Sequence, residues 1–330
     1  MESVSILVTT SIGDECLQQI ASVSPRIKVR DVSEFTNAEK RGDFSFKEQF
    51  DILLAEAEII YGAGPPQNII TRAPKLRWIQ TTNAGVDDFL DNDIIRSSVM
   101  VTNTSGMHAI PIGEYVLGLM LMFVKKTPLC FQLKQEKQWK RFKLTVLRSK
   151  TVGIVGLGSI GREVARLSKA FGMRVLAIRK SAKQVTCARN VDMMLPQDHL
   201  PQLLSESDFV VLALPLTPET NKLIGEVELR TMKPTAYLIN IARGNVVDEE
   251  ALIRALDENW IAGAGLDVFT KEPLPAESKL WELPNVIFSP HVAAEIKDYY
   301  MQATNLFCEN LRRYLSGKKL RNVVNKKKGY

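Results

Sequence analysis

The stretch that most constrains this chain runs from Lys150 to Ser181. Thr151 to Val155 is a short, apolar, β-branched run, the pattern of a strand buried in a parallel sheet. Gly156, Gly158 and Gly161 follow at GxGxxG spacing. They supply a tight turn, a backbone bare enough to approach a pyrophosphate, and close helix–strand packing. Ile160, Val164 and Leu167 then recur at helical spacing, so the turn opens a helix whose first amides can hold phosphate. Arg174 to Ile178 reads as a second strand. A glycine loop set between a strand and a helix, with another strand behind, predicts a dinucleotide site. Its expected contacts are Gly156, Gly158, Ser159, Ile160 and Gly161.

The end of the second strand selects among dinucleotides. A carboxylate roughly 20 residues beyond the glycines would hold the ribose 2′-hydroxyl of NAD. Here the strand ends in Arg179-Lys180-Ser181, with no acid among them. Two cations and a hydroxyl suit a 2′-phosphate. NADP(H) is therefore the expected cofactor; NAD is tolerated if this corner is only a solvated basic surface.

At 330 residues the chain has length for two buried cores. Its 45% hydrophobic and 24% charged content is that of a globular protein. The apolar run Tyr115 to Val124 is too short to span a bilayer and stops at Lys125-Lys126. No basic region precedes an apolar stretch near the N-terminus, and the four cysteines show no CxxC spacing. A cytoplasmic protein with reduced thiols, not bound to membrane, is the expectation. The three histidines are not spaced with Cys or with each other as a metal site requires, so no metal is expected. The net charge of +6 gathers between Lys125 and Lys150 and in the C-terminal tail. Neither stretch interleaves aromatics as a stacking platform would, so attraction of anionic substrate and cofactor explains the charge better than nucleic acid does.

Along the chain, strands are expected at Val4 to Val8, near Ile27 to Val32, at Ile59 to Tyr61, Leu76 to Gln80 and Val99 to Thr102. Helical stretches at Asp14 to Ala21 and Glu48 to Glu56 alternate with them. This is the pattern of a flavodoxin-like α/β domain without a glycine fingerprint of its own. Asn103 to Gly106 reads as a hinge. Ile112 to Lys126 is apolar almost all round, so it must be covered, by the chain's own core or by a partner subunit. Further strands are expected at Phe209 to Leu214, Ala236 to Ile241, Gly263 to Phe269 and Val286 to Phe288. Arg243, Asp267 and His291 lie at or just past strand ends, where doubly wound sheets place their ligands. Asn305 to Leu315 is a last amphipathic helix, and Asn322 to Val324 is positioned to rejoin the first domain. The expected fold class is α/β with two doubly wound domains. A Rossmann dinucleotide-binding domain over 104–291 is inserted in a flavodoxin-like substrate domain formed by 1–103 and 292–330.

Taken together, Asn83 to Asp87, Gly113-Glu114-Tyr115, Leu147 to Gly161, Pro215 to Thr220, Asn240 to Gly244, Gly265 to Phe269, Glu272-Pro273 and Ser289 to Ala293 resemble the D-isomer-specific 2-hydroxyacid dehydrogenase family. The likeness covers about Ala57 to Val324. It is nearer the glyoxylate and hydroxypyruvate reductase branch than the formate dehydrogenases, which have Gln where this chain has Glu272. The resemblance implies that Arg243 holds the carboxylate and ketone oxygens of a 2-keto acid. It implies that His291 is the acid/base and that Glu272 favours its imidazolium and fixes its orientation. It adds Pro215, Thr220, Ile241, Ala242, Arg243, Asp267 and His291 to the cofactor contacts, with Asp267 facing the nicotinamide end or, alternatively, salt-bridging Arg243. The amides around Ala84, Gly85 and Val86, with Arg243 and His291, are expected to grip the substrate, as an anion nest does. His108 begins the long apolar helix, where it is expected to cap or pack; the alternative is that it brushes the active site. A homodimer through the apolar helix is also expected, as is an interdomain cleft, hinged near Asn103 to Gly106 and after His291, that closes on cofactor and keto acid.

The chain departs from the family at Arg179-Lys180-Ser181 and at Ala294 to Lys297, which borders the pocket. The leading expectation is an NADPH-dependent reductase of small 2-keto acids that yields the D-2-hydroxy acid. The alternative is a dinucleotide-sensing, corepressor-like binding protein on the same fold, since fold alone does not settle function.

Overall fold

The structure is a computed structural model that describes residues 3–329. The chain forms two units, Met1–Met107 with Ile296–Tyr330, and His108–Glu295. In the first unit β1 (Val4–Val8), α1 (Asp14–Ala21), β2 (Ile27–Asp31), α2 (Ser33–Lys40) and α3 (Lys47–Ala55) come first. β3 (Ile59–Gly62), α4 (Ile69–Arg72), β4 (Trp78–Thr81), α5 (Asn92–Arg96) and β5 (Met100–Thr102) complete the run. The second unit opens with α6 (Ala109–Val124) and α7 (Thr127–Gln135), then β6 (Thr151–Val155), α8 (Ser159–Ala170) and β7 (Arg174–Ile178). It continues through β8 (Thr186–Ala188), β9 (Val191–Leu195), α9 (Leu200–Glu206), β10 (Phe209–Leu212), α10 (Glu226–Thr231) and β11 (Tyr237–Asn240). α11 (Glu249–Asp257), β12 (Gly263–Leu266) and β13 (Val286–Phe288) close it, and α12 (Tyr299–Leu315) returns to the first unit.

The first sheet has five parallel strands in the order β2-β1-β3-β4-β5. Buried Val4, Ile6, Ile59, Tyr61 and Trp78 pack under α12, where the Phe307 ring stacks on Tyr61 at 4.2 Å between centroids. An antiparallel bridge from Thr102 to Val323 ties the tail to β5.

The second sheet runs β13-β12-β11-β10-β6-β7-β9-β8 and is parallel except for β8 against β9. Its central strands β6 and β10 are buried along their whole length, which is why they read as unbroken apolar runs and not as alternating ones. Gly265 of β12 brings α6 close, since a Cβ there would lie 2.9 Å from Leu119 Cδ1. α6 is only partly covered. Val116, Leu119 and Met120 are buried, but Leu117, Leu121 and Met122 are half-exposed and Ile110 is 61% exposed. Among the described residues no single helix is long and apolar enough to cross a membrane.

The units divide four residues later than the sequence suggests at both junctions, at Met107/His108 and Glu295/Ile296. Hydrogen bonds explain the shift. Asn103 N donates to Asn322 O, Thr104 N to Asn83 O, and Asn322 Nδ2 to Ser105 O, so the turn formers belong to the first unit. At the other junction Val292 and Ala293 are held through their amides by Asp267.

Candidate active site

The glycine loop between β6 and α8 is shaped by close approaches. Gly156 has φ +105°, and a Cβ there would lie 2.3 Å from Ala213 O. A Cβ on Gly161 would lie 2.1 Å from Gly156 O, so α8 begins in contact with the loop. Gly158 is different: it is the N-cap of α8, and no atom lies within 4 Å of where its Cβ would be. A bare backbone beside the first amides of a helix fits the pyrophosphate of a dinucleotide.

Arg179, Lys180 and Ser181 follow β7 and are exposed. The carboxyl of Glu219 is held below the usual range by the Thr217 hydroxyl, its own amide and then the charge of Lys180. The loops after β7 and β10 leave the carboxyl ends of the two strands that flank β6. Within the β10 loop, Thr220 Oγ1 donates to Pro215 O at 2.7 Å and accepts from Thr217 N at 2.7 Å. A cleft of about 500 Å³ beside the glycine loop is lined by Ser159, Arg162, Arg166, Arg179, Arg189 and Asn190, among others. Arg166 is engaged by Glu163 through two contacts of 2.8 and 2.6 Å. Arg162, Arg179 and Arg189 make no ion pair among the described residues. Sequence reasoning missed Arg162 and Arg189. The first is masked by the helix pattern, and the second sits in the two-residue turn of the exposed β8–β9 hairpin.

At the ends of β11, β12 and β13 the chain builds a second cluster. Asn240 clamps the loop after β11, accepting from Ala242 N at 3.1 Å and donating to Arg243 O at 3.0 Å. Ile241 and Ala242 are buried, and Arg243 is half-buried with Nη1 donating to Ala242 O. Gly244 has no room for a side chain, because a Cβ would sit 1.9 Å from the Phe269 carbonyl carbon. That contact places the Arg243 loop against the turn after β12, where Phe269 N donates to Glu272 Oε1 at 2.9 Å. The other oxygen of Glu272 meets His291 Nδ1 at 2.8 Å. One carboxylate oxygen is therefore fixed by backbone and the other orients the ring, so Nε2 is the nitrogen left for a ligand. The His291 and Glu272 side chains are 49% and 36% exposed, as a group that exchanges protons with a ligand must be.

Asp267 is buried, and its carboxylate gathers the loop that carries His291. Oδ1 accepts from Ser289 Oγ at 2.5 Å and Val292 N at 2.9 Å, and Oδ2 from Ala293 N at 3.0 Å. Both oxygens of Asp267 are engaged by 289–293. The caught loop holds His291 at φ +57°, an uncommon conformation outside glycine that persists where surroundings impose it.

In the first unit, the turn Asn83–Val86 is held by Thr81 Oγ1, which accepts from Asn83 N at 3.0 Å, and by Asn103 Nδ2, which donates to Ala84 O at 2.7 Å. Ala84 and Gly85 are half-exposed and Val86 is buried. His108 is the N-cap residue of α6 but makes no side-chain cap, and burial pushes its imidazole down to about 4. Among the described residues no group of His, Cys, Asp or Glu could hold a metal ion.

Comparison with known proteins follows the same lines. Residues 117–293 match the family described as D-isomer specific 2-hydroxyacid dehydrogenase, NAD binding domain. A glyoxylate reductase of Thermococcus gammatolerans is 39% identical over 267 residues, 78% of this chain and 79% of that one. Glyoxylate/hydroxypyruvate reductase B of Pectobacterium carotovorum is 38% identical over 284 residues, 82% of this chain and 87% of that one. Among solved structures, a D-isomer specific 2-hydroxyacid dehydrogenase of Xanthobacter autotrophicus in complex with NADPH and MES superposes with a TM-score of 0.84 at 29% identity. It covers 99% of this chain and 100% of its own.

Proposed function

The chain belongs to the D-isomer specific 2-hydroxyacid dehydrogenase family, NAD(P)-dependent oxidoreductases acting on CH–OH groups, and from that premise we propose that it reduces small 2-keto acids of the glyoxylate and hydroxypyruvate kind, with NADPH as preferred cofactor. The observation that carries the reading is the His291–Glu272 couple at 2.8 Å, set in one unit with Arg243 and the bare glycine loop. When bound, the dinucleotide supplies a hydride to the carbonyl carbon. The protein's own groups do the rest. Arg243, whose planar fork matches two oxygens, binds the carboxylate and polarises the ketone. His291 delivers a proton from Nε2 to the developing alkoxide. Glu272 then faces an imidazole that has lost its charge, and a proton from solvent restores the pair.

The preference for NADPH rests on Arg179, Lys180 and Ser181, where an NAD enzyme carries an acid. Homodimer formation is part of the proposal. The half-exposed Leu117, Leu121 and Met122 of α6 are followed by a segment in which Phe131 is 58% and Trp139 98% exposed, more apolar surface than an isolated chain usually leaves in one stretch.

The test is NADPH oxidation at 340 nm (about that wavelength, the nicotinamide band) with a panel of 2-keto acids and both cofactors. Turnover of glyoxylate or hydroxypyruvate with a lower KM for NADPH is the expected result. Binding of the dinucleotide without turnover of any keto acid would favour a dinucleotide sensor instead.

A further inference from the structure

The loop that carries His291 is tied to α6 by a path that the catalytic reading does not use. The Tyr115 hydroxyl lies 2.5 Å from Ser289 Oγ, and Ser289 Oγ lies 2.5 Å from Asp267 Oδ1. The direction of the protons follows from what each group can do. Asp267 accepts from Ser289, Val292 N and Ala293 N, and carboxylate oxygens facing three donors serve here only as acceptors. Ser289 has one proton, which goes to Asp267, so its oxygen accepts from the phenol of Tyr115. Burial, opposed by the Ser289 hydrogen bond and aided by the Asp267 charge, pushes the phenol up and keeps it a donor.

The sequence places Tyr115 for this task. It lies one helical turn before Leu119, the residue that packs on Gly265 of β12, and Asp267 lies just beyond that strand. Residues four apart share a helix face, so the contact that seats α6 on β12 also aims Tyr115 along it. Ala293, on the far side of His291, is buried in the same apolar cluster as Ile112, Val116 and Leu119. His291 is thus bracketed by Ser289 before it and by Val292 and Ala293 after it, all converging on one buried carboxylate.

We infer that Tyr115 and Ser289 are positioning residues for His291: the phenol, the serine hydroxyl and the Asp267 carboxylate form a hydrogen-bonded strut from α6 that holds the catalytic loop in its left-handed conformation. A chain of hydrogen bonds polarises along its length, so loss of the phenol weakens the hold of Ser289 on Asp267 as well as its own bond. The loop then samples conformations in which Nε2 is misplaced, and misplacement of a catalytic group lowers turnover more than binding. The inference rests on the reading of His291 as proton donor.

The experiment compares Tyr115→Phe, Ser289→Ala, Ser289→Thr, the Phe/Ala double variant and His291→Ala. Kcat is measured with glyoxylate or hydroxypyruvate, NADPH Kd by fluorescence, and Tm. Tyr115→Phe and Ser289→Ala are each expected to lose about tenfold in kcat, with NADPH Kd within about twofold of the wild type. The double variant is expected to be no worse than the poorer single one, as for members of one network. Ser289→Thr, which keeps the hydroxyl, is expected to recover most of what Ser289→Ala loses. If Ser289→Ala does not fold, Tyr115→Phe decides alone. A Tyr115→Phe enzyme with unchanged kcat, or one that loses kcat and NADPH affinity in parallel, overturns the inference. His291→Ala separates the two levels: full activity in that variant removes the catalytic reading and the strut with it. Loss there without loss in Tyr115→Phe removes only the strut.

Discussion

The two sheets of this protein share a doubly wound, parallel plan but finish their first strands differently. After β1 the chain closes the sheet end on itself. Thr9 Oγ1 donates to Gly64 O at 2.9 Å, Thr10 Oγ1 accepts from Ala63 N at 2.8 Å, and Thr81 Oγ1 donates to Ala63 O. A Cβ on Gly62 would lie 2.1 Å from Thr9 Oγ1, so the crevice is filled by the protein's own hydroxyls. After β6 the same position carries Gly156, Leu157 and Gly158, and the space beside Gly158 is open. Equivalent topology therefore does not make equivalent sites. What distinguishes the second sheet is backbone left bare at its carboxyl edge, and with it the loops after β11, β12 and β13 that carry Arg243, Glu272 and His291.

The largest effect expected from disturbing that difference is at the catalytic loop. His291→Ala removes the proposed general acid, and such groups contribute about 10²–10⁴-fold, so kcat falls by that order while NADPH affinity changes little. Glu272→Gln keeps the shape of its side chain and removes the charge. The amide no longer offers Nδ1 a charged acceptor, so the ring is held less firmly and kcat falls while NADPH affinity changes little. A Glu272→Gln enzyme with wild-type kcat would show that the 2.8 Å contact is only structural.

Next in size is the glycine loop. Gly158→Ala adds a methyl where no atom lies within 4 Å, so Tm should change by no more than a few degrees. The methyl enters the space proposed for the pyrophosphate, and NADPH affinity should fall at least about tenfold, as expected where backbone must approach phosphate. Gly161→Ala is the contrast, since its methyl would lie 2.1 Å from Gly156 O and should lower Tm as well. Equal NADPH affinity in Gly158→Ala and wild type would refute the difference drawn between the two sheet ends.

Arg179→Asp tests which dinucleotide the open loop serves. Hydrogen bonds to charged groups contribute about 1.5–3 kcal/mol, so the NADPH over NADH ratio of kcat/KM should fall by one to two orders of magnitude, about what that energy allows. Arg162 and Arg189 line the same cleft, so a ratio that falls less than tenfold would locate part of the preference there. A ratio unmoved by Arg179→Asp and by alanine at the other two would remove the basic corner as its cause.

These differences were unevenly legible. The strand–glycine–helix unit was readable because period and turn chemistry agree over thirty residues. Val4–Val8, Thr151–Val155 and Arg174–Ile178 appear where the apolar runs place them. The β8–β9 hairpin was not readable. β8 is exposed throughout, and its turn, Arg189-Asn190, relies on Asn190 alone at φ +61° in place of the usual glycine. α10 and α11 carried start signals that were overlooked: Glu228 accepting from Gly225 N, and Asp248 capping Ala251 N. At the site, motif spacing pointed to His291, Glu272 and Arg243, but the Tyr115–Ser289 contact joins residues 174 positions apart. No local pattern encodes such a pair.

The smallest effect separates the two units by acid. All three histidines of the chain, His108, His199 and His291, lie in the second unit. His108 is held neutral there, pushed down from 6.5 to about 4 by burial. Its folded value lies below its unfolded one, so between the two the unfolded chain binds the proton and the folded one does not. Stability then rises with pH across this window. The contribution is fully present above about pH 6.5 and is lost as pH falls toward 4, with an upper bound of roughly 3 kcal/mol at 1.36 kcal/mol per unit. The first unit has no histidine to charge in this range. Calorimetry from pH 7 to 4.5 should therefore show the transition of the second unit moving down first. His108→Gln, which cannot take up the proton, should flatten that decline whatever its own cost at pH 7. A His108→Gln protein whose stability falls with acid as steeply as the wild type would show that the second unit's acid sensitivity arises from groups other than His108.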